Sequence, residues 1–263
     1  MSDDKDMWTR PIIARVGGKS KLADDIVNMM PRHEIYVEPF IGGGSVFFKK
    51  PKSLSRLEVI NDKDKDVADI YRDVQKVESL SDKSFQPTRP QFNRLKNMKN
   101  FKTDKERLFR NLYLSLTSFR GDRENYIGEN LENDKRYKNV GVKFKNQKTY
   151  DKIRNRMSGV KVHSEDFRKV IKRYDSPDTL FYLDPPYSRA EQNKDYREVG
   201  LDIYDVCNFL KTIKGKFILS YDDVVDARKI CKQFKIKKIR TKYETTRKNA
   251  GAYDVSELII TNF

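Results

Sequence analysis

A strand-like run at residues 35–40 leads directly into three consecutive glycines at 42–44. Residues 45–50 then have the pattern of a short helix, residues 56–61 that of a second strand, and residues 64–77 that of an amphipathic helix. This alternation is typical of an open sheet with parallel strands and helices on both faces. The first third of the chain therefore predicts the α/β class.

The alternation of strands and helices returns after residue 158. The elements predicted here are strands at 160–163, 179–183, 216–221, 235–243 and 256–263, and helices at 166–174, 202–212 and 223–234. The last two strands form a terminal pair. Upstream of the first strand, a helix is predicted at 20–30 with Ser20 as its N-cap. These elements are consistent with one α/β fold that is interrupted in the middle.

A basic segment separates the two halves. From residue 85 to residue 160 there are 19 Lys and Arg against 8 Asp and Glu, a net charge of +11, while the other 187 residues share the remaining +5 of the total of +16. Helices are predicted here at 91–101, 104–118 and 150–157, with a loop-rich insertion or small hairpin at 119–149. We predict that residues 85–157 form an inserted, mostly helical domain, and that 1–84 and 158–263 form the other domain.

The excess of positive charge favours a polyanionic partner, because each neutralised phosphate releases condensed counterions. A surface that serves only solubility is the alternative. Charge that is concentrated in one segment is more typical of a binding face than of a general solubility surface. The insertion is therefore the predicted contact with a nucleic acid.

Several protein classes are disfavoured by the composition. Cys207 and Cys231 each lie in an apolar helical pattern, which predicts buried thiols rather than a disulfide. His33 and His163 are far apart and have no cysteine cluster near them, so no metal site with familiar spacing is predicted. The sequence has no signal peptide and no apolar run long enough to span a bilayer. We expect a soluble, intracellular protein with no membrane partner.

The glycine turn is suited to a small ligand. It follows the strand that ends in Glu38-Pro39-Phe40-Ile41 and exposes backbone at the end of the sheet where ligands of open α/β folds lie. No Lys-Ser/Thr pair follows the glycines, so this is not the spacing of a phosphate-binding loop. Asp62, at the end of the next strand, is a candidate acceptor for a ribose diol. A plain tight turn, and a helix N-cap at Asp62 or Asp64, explain the same residues equally well.

Asp184-Pro185-Pro186-Tyr187 follows an apolar strand and is the most specific motif in the chain. Two prolines make a rigid corner and remove two N–H donors, so a carboxylate and carbonyl oxygens remain as acceptors. An exocyclic amine, with two N–H donors, matches such a site, and Tyr187 offers a flat ring on which a base could stack. An ordinary proline turn is the alternative.

Together these motifs resemble the Dam-like DNA adenine-N6 methyltransferases, in the subgroup whose target-recognition region lies between the second-strand motif and the catalytic motif. The resemblance covers residues 12–263. Its motifs, in the family's order, are Val16-Gly17-Gly18-Lys19, the cofactor loop from Val37 to Phe47, Asp62 and Asp184-Pro185-Pro186-Tyr187. Ser164-Glu165-Asp166-Phe167 resembles, more loosely, the segment that contacts the cofactor adenine. Arg15 departs from the pattern, since the family often has an aromatic residue at that position.

The resemblance implies a Rossmann-like methyltransferase fold with a mixed central sheet, S-adenosyl-L-methionine as cofactor, double-stranded DNA as partner and no metal. The implied catalytic residues are Asp184, Pro185, Pro186, Tyr187 and Lys19. The implied cofactor-binding residues are Arg15, Gly17, Gly18, Lys19, Glu38, Pro39, Phe40, Gly42, Gly43, Gly44, Ser45, Asp62, Asp166, Phe167 and Asp184. Candidates for reading DNA lie on the irregular, glycine-containing stretch of the basic segment, where a solvated loop explains each equally well: Arg120, Arg123, Asn125 and Asn130.

By this resemblance, Asp184 and the Pro185 carbonyl accept the two hydrogens of the adenine amine, and the flipped base stacks on Tyr187. Other functions stay open at this point. Cytosine-N4 methyltransferases more often have Ser at the first catalytic position, and those acting on glutamine amides or structured RNA tend to have Asn. A catalytically silent DNA-binding relative is a further alternative. The intact Asp184 and prolines favour an active adenine-N6 methyltransferase.

Overall fold

The computed structural model describes residues 11–13, 19–118, 121–127, 142–186, 201–243 and 253–263. The chain divides into two compact units. The first consists of Met1–Ala23, Gly42–Lys52 and Asp62–Ser164, and the second of Asp24–Ile41, Ser53–Asn61 and Glu165–Phe263. The predicted insertion at residues 85–157 lies wholly within the first unit. The assignment of that segment as a separate domain stays a prediction.

The second unit is built on a mixed sheet. The strands of the chain are β1 (Ile35–Glu38), β2 (Leu57–Asn61), β3 (Lys161–His163), β4 (Thr179–Leu183), β5 (Lys216–Asp222), β6 (Lys235–Tyr243) and β7 (Tyr253–Thr261). Within the second unit their order is β2-β1-β4-β5-β7-β6, and β3 belongs to the first unit. Strands β2, β1, β4 and β5 are parallel, whereas β7 is antiparallel to β5 and to β6. The predicted α/β class, with its terminal pair of strands, is confirmed.

The predicted helices are present, with differences at their ends. With one short helix that was not predicted, α6 (Val142–Lys145), the helices are α1 (Ala23–Asn28), α2 (Ser45–Lys49), α3 (Lys65–Lys76), α4 (Arg89–Lys96), α5 (Asp104–Thr117), α7 (Gln147–Met157), α8 (Phe167–Tyr174), α9 (Ile203–Leu210) and α10 (Val225–Ile230). Helix α4 begins before residue 91 because the Thr88 side chain caps it and a proline lies in its first turn. Helix α7 begins before residue 150 because Asn146 caps it.

The stretch at 119–149 was predicted to be loop-rich or a small hairpin, and the prediction is partly wrong. Helix α6 and the start of α7 lie inside it. At its beginning, Ser118 and Tyr126 form an isolated antiparallel bridge, and the Ile127 amide donates to the Thr117 carbonyl at 3.1 Å. The hairpin alternative therefore holds locally, whereas the short helices were missed.

The apolar core of the second unit lies on one face of its sheet. Side chains of successive strand residues point to opposite faces, so Val37, Phe181 and Leu219 share this face. Helices α8, α9 and α10 cover it with apolar residues such as Val170 and Val206, and all of these side chains are buried. Each fully buried side chain of this size contributes about 1.5–3 kcal/mol through removal from water. This packing fixes the parallel strands, and with them the residues that follow their carboxyl ends.

The two cysteines also lie in this core, where Cys207 on α9 and Cys231 after α10 are both fully buried. A disulfide joins them, with the Cα atoms 5.9 Å apart. The prediction that the cysteines are buried is confirmed, but the prediction that they are free thiols was wrong. The helical pattern indicated burial correctly but contained no information on the approach of α9 to α10.

In the first unit, an ion pair at the contact of α3 with α5 is largely removed from water. Arg107 donates to both carboxylate oxygens of Asp73, at 2.8 and 2.6 Å, and to Asp104 at 2.5 Å. The Asp73 side chain is fully buried. Burial raises the pKa of Asp73, and the hydrogen bonds from Arg107 oppose that rise. The hydrogen bonds to Asp73 raise the pKa of Arg107, so it stays charged. The pair satisfies two charges that would otherwise be costly to bury.

We predict that Arg107→Met lowers the free energy of unfolding by about 3 kcal/mol at pH 7, because it leaves the Asp73 carboxylate buried without its cation. Burial already raises the pKa of Asp73 above the unfolded value, so protonation of Asp73 favours the folded state. The loss should therefore shrink as the pH falls from 7 towards 5. Urea denaturation at several pH values measures both effects.

Two further variants serve as controls for this prediction. Arg107→Met with Asp73→Asn removes both charges and should recover a large part of the loss. Arg56→Met removes an exposed arginine that lies 4.0 Å from Glu34, and should change the free energy of unfolding by less than about 1 kcal/mol. An equal loss for Arg107→Met and Arg56→Met would contradict the importance of the buried pair.

Candidate active site

The parallel strands of the second unit bring two predicted carboxylates to the same end of the sheet. Strand β1 ends at Glu38 and pairs in parallel with β4, with Val37 opposite Phe181. Asp184 follows β4 directly, so it leaves the sheet at the end where β1 also stops. Every residue of β4 is buried, whereas Asp184 is only half-buried. A rigid strand therefore holds a carboxylate at the end of the sheet where ligands of such folds bind.

The two prolines after Asp184 continue this rigid segment. Pro185 is buried and Pro186 is half-buried. Neither has an N–H group, so Asp184 and the two proline carbonyls provide acceptors without competing donors from the proline backbone. Tyr187, the last residue of the motif, lies outside the described residues.

Ser220 on β5 contacts the Asp184 carboxylate. Its Oγ lies 3.2 Å from Asp184 Oδ1, 3.3 Å from the Leu183 carbonyl oxygen and 3.1 Å from the Tyr182 hydroxyl. Ser220 is fully buried. A serine hydroxyl has one proton and two acceptor lone pairs, so a proton donated by Tyr182 leaves the Ser220 proton available for Asp184. Neither Ser220 nor Tyr182 was identified from the sequence.

Glu38, the carboxylate at the end of β1, also accepts a hydrogen bond from a buried hydroxyl. The Tyr36 hydroxyl donates to Glu38 Oε2 at 2.7 Å, and both side chains are buried. Burial raises the pKa of Tyr36 well above its ordinary value, and the neighbouring Glu38 raises it further. Burial likewise raises the pKa of Tyr182, with Asp184 as the next largest cause. Both phenols therefore stay neutral and keep the proton that they donate.

Asn61, at the end of β2, ties the segment after β1 to the segment before α8. Its amide nitrogen donates to the Pro39 carbonyl at 2.9 Å and to the Glu165 carbonyl at 3.1 Å. Its amide oxygen accepts from the Glu165 backbone amide at 2.9 Å. Asn61 thus fixes two predicted cofactor segments relative to each other, a role that the strand pattern of β2 could not indicate.

Two predicted cofactor residues, Asp166 and Phe167, have structural roles here. The Asp166 side chain caps α8 by accepting from the Arg168 amide at 2.9 Å. Phe167 is buried, and its ring lies 5.1 Å from that of Phe40 and 5.6 Å from that of Phe209. Phe40 is half-buried, so it covers Phe167 while keeping part of its own ring exposed.

In the first unit, the glycine turn 42–44 is shaped by its backbone. Gly42 and Gly44 have φ values of +45° and +77°, a region that residues with a Cβ atom rarely adopt. A Cβ atom on Gly43 would lie 2.6 Å from the Ile13 carbonyl oxygen, so only glycine fits there. A Cβ atom built on Gly42 would meet no described atom within 4 Å. The turn is therefore tightly packed on one side and open at Gly42.

Asp62 is bonded directly to this turn. Its Oδ2 accepts from the Gly42 amide at 3.0 Å, and its Oδ1 accepts from the Asp64 amide at 2.9 Å. The Gly42 carbonyl accepts from the Tyr71 hydroxyl at 2.7 Å. The cap of α3 is Asp64, whose side chain accepts from the Asp66 amide at 3.1 Å. The N-cap alternative therefore applies to Asp64, whereas the half-buried Asp62 uses its carboxylate to hold the glycine turn.

The N-terminal motif is described only in part. Lys19 is buried, with 2% of its surface exposed, and Ser45 at the start of α2 lies with its Oγ 3.2 Å from Ser20 Oγ. Arg15, Gly17 and Gly18 lie outside the described residues. Their predicted roles at the cofactor stay predictions.

Of the four candidates for reading DNA, Arg123 and Asn125 are described. Arg123 has a left-handed backbone with φ of +62°, and its guanidinium pairs with Asp64 and lies 3.6 Å from Asp66. Its side chain is only 17% exposed. Asn125 is held by Asp122, which accepts from its side-chain amide at 2.8 Å. Arg120 and Asn130 lie outside the described residues.

The described residues contain no group of three or more His, Cys, Asp or Glu side chains that could hold a metal ion. No helix among them is long and apolar enough to cross a membrane.

Comparisons with known proteins agree with this arrangement of strand ends and motifs. The family model of the D12 class N6 adenine-specific DNA methyltransferases matches residues 16–245. The chain is 28% identical over 284 residues to the Type II methyltransferase M1.LlaDCHI of Lactococcus lactis subsp. cremoris, with 97% of this chain and 95% of the relative covered. It is 25% identical over 295 residues to the Type II methyltransferase M.MjaIII of Methanocaldococcus jannaschii, with 98% and 100% covered.

Among solved structures, precorrin-6y C5,15-methyltransferase from Geobacter metallireducens GS-15 aligns over 97% of this chain and 98% of its own, with 7% identity and a TM-score of 0.40. A likeness at that level says nothing about function. The family match, by contrast, spans the glycine turn, Asp62 and the motif that begins at Asp184. The chain is therefore a member of the D12 class N6 adenine-specific DNA methyltransferase family.

Proposed function

We propose that this adenine-specific DNA methyltransferase transfers the methyl group of S-adenosylmethionine to the N6 amine of an adenine flipped out of double-stranded DNA, with Asp184 and the Pro185 carbonyl as the acceptors for the amine. The observation that carries the proposal is the Asp184 carboxylate, which follows a fully buried strand and is contacted by Ser220 at 3.2 Å. A carboxylate so positioned accepts from an amine without first having to be ordered.

The chemistry requires such acceptors because the lone pair of the adenine amine is delocalised into the ring. Hydrogen bonds from the two N–H groups to Asp184 and to the Pro185 carbonyl draw the nitrogen towards tetrahedral geometry and make the lone pair available. Donors and acceptors that are already in place cost no reorganisation during the reaction. In this proposal the flipped base stacks on Tyr187, which would offset part of the cost of flipping.

Residues at the glycine turn of the first unit fit an S-adenosylmethionine ligand. The turn is open at Gly42, and the Asp62 carboxylate is held beside it, where it would accept from a ribose diol. Once bound, the cofactor supplies an electrophilic sulfonium methyl group. We propose that the cofactor is held by the residues of the matching motifs, which are Arg15, Gly17, Gly18, Lys19, Glu38, Pro39, Phe40, Gly42, Gly43, Gly44, Ser45, Asp62, Asp166, Phe167 and Asp184. Among these, Phe167 and Asp166 act through Phe40 and the cap of α8.

DNA contacts by the insertion are part of the same proposal. Arg120, Arg123, Asn125 and Asn130 stay the candidates for reading base edges. For Arg123 this requires a rearrangement, since its guanidinium is paired with Asp64 and is largely covered. Asn125 is exposed to a greater degree and needs only to exchange the hydrogen bond to Asp122.

We predict that Asp184→Ala lowers the rate of methyl transfer by at least about 10²-fold while S-adenosylmethionine binding stays within a few-fold of the native value. The rate is measured as N6-methyladenine in digested DNA by mass spectrometry. Native activity in Asp184→Ala would refute the catalytic role. N4-methylcytosine as the product of the native enzyme would refute the proposed substrate.

We predict that Asp62→Ala weakens S-adenosylmethionine binding about 10- to 100-fold, because a carboxylate acceptor contributes about 1.5–3 kcal/mol. Isothermal titration calorimetry measures the affinity. Asp25→Ala removes an exposed acid of α1 and is the control, with unchanged affinity. If both variants bind the cofactor as tightly as the native protein, Asp62 does not hold the ribose.

We predict that Ser220→Ala lowers kcat about 10-fold, because Asp184 loses a hydrogen bond that orients it. The KM for S-adenosylmethionine and the urea midpoint should change little. Tyr182→Phe removes a hydroxyl that contacts Ser220, so it affects Asp184 only through Ser220 and its effect on kcat should be smaller. A fall in the urea midpoint that accompanies the fall in kcat would indicate a role in packing alone and contradict the positioning role.

A further inference from the structure

A second basic segment lies near the end of the chain, outside the predicted insertion. Residues 229–243 contain seven Lys and Arg and no Asp or Glu. Residues 85–160 carry +11 of the total charge of +16, so subtracting +11 and +7 leaves −2 for the other 172 residues. The whole positive excess of the protein therefore lies in two segments, and the second is not explained by the predicted DNA-recognition region.

The structure places this segment on the last turn of α10 and on β6. Strand β6 stands at the end of the strand order, paired with β7 on one side. In the described part of the chain no strand pairs with its other side. Lys238 is exposed but paired, and the other exposed cations of the segment form what we term the basic edge: Lys229, Lys232, Lys235, Lys237 and Arg240.

The charges of the basic edge are not neutralised locally. Lys238, their neighbour, donates to Asp223 at 2.8 Å, and this bond is the largest cause of the lowered pKa of Asp223. Within the described residues, Lys235, Lys237 and Arg240 form no ion pair. Asp223 also pairs with Arg228 at 2.7 Å, so this acid already has two cationic partners.

We propose that the basic edge is a second DNA-contacting surface, which binds phosphate groups of the duplex independently of the insertion. Because the chain is a DNA methyltransferase, duplex DNA is the polyanion that we expect this surface to bind. Lys235 and Lys237 lie two residues apart on β6, so they share a face and repeat at about 6.8 Å. Every second phosphate of one DNA strand advances by about 6.8 Å along the axis. Exposed lysines at this spacing match a phosphate backbone without reading its sequence.

Protection of an unpaired strand from aggregation is the competing explanation, since lysines are common on such strands. Protection from aggregation does not involve DNA and requires only that the strand carry charge. A phosphate contact, by contrast, makes DNA affinity depend on salt, because each neutralised phosphate releases counterions and adds about 0.9 to the slope of log affinity against log salt. The two explanations therefore differ in a measurable slope.

The experiment compares a double variant, which carries both Lys235→Gln and Lys237→Gln, with the native enzyme. Fluorescence anisotropy measures binding to a labelled duplex of 40 base pairs with arbitrary sequence at several salt concentrations. We expect the magnitude of the slope of log affinity against log salt to be smaller by about two in the double variant. The native enzyme should then lose about tenfold more affinity than the variant between 50 and 200 mM salt. Cofactor affinity and the urea midpoint should match the native values.

A matched control removes the same net charge elsewhere in the second unit. Lys211→Gln with Lys214→Gln neutralises two exposed lysines outside the basic edge and should leave the slope unchanged. Lys235→Arg with Lys237→Arg keeps the charge and should retain the native slope, which separates a loss of contact from a folding defect. Equal changes in both Gln pairs, or no change in either, would overturn the proposal. Methylation by the native enzyme tests the catalytic proposal separately.

Discussion

The buried carboxylates on one face of the sheet are the constraint on which the second unit depends. Glu38, Glu58 and Glu257 are each less than 5% exposed, and a charge taken out of water destabilises the fold unless hydrogen bonds replace its hydration. For Glu38, the replacement is the Tyr36 hydroxyl at 2.7 Å. Because burial raises the pKa of Tyr36, the phenol keeps its proton over the physiological range and stays a donor.

The opposite face of the same strands makes this arrangement possible. Val37, Phe181 and Leu219 pack against α8, α9 and α10, so the strands are anchored by an apolar core that needs no polar partners. The polar face is then free to carry Tyr182, Ser220 and the strand end that holds Asp184. An alternation of period two therefore separates stability from chemistry within single strands, and a shift of one residue in register would exchange the two faces.

The strands, the parallel order at the start and the candidate catalytic motif could be predicted from the sequence, because hydropathy and turn residues are local signals. Tyr182 on β4 and Ser220 on β5 could not, since both segments have the pattern of apolar strands and hydropathy does not indicate which group a hydroxyl contacts. The role of Asn61 could not be predicted either, because its three hydrogen bonds join Pro39 to Glu165, and Glu165 lies 104 residues after Asn61 in the sequence. The disulfide depended on the approach of two helices and not on either helix alone.

Charged residues were the least predictable, because a sequence gives the sign of a charge but not its partner. Asp66 and Asp73 on α3 would read as a solvated helix face, yet α5 brings Arg110 and Arg107 onto them at 2.6 Å. Arg123, a candidate for reading DNA, pairs in this structure with Asp64, beside the carboxylate that holds the glycine turn. Much of the positive charge in the basic segment is thus neutralised by ion pairs within the protein. At physiological salt, attraction falls off within about 8 Å. The cations that matter for DNA are therefore those left exposed, and their positions count for more than their total number.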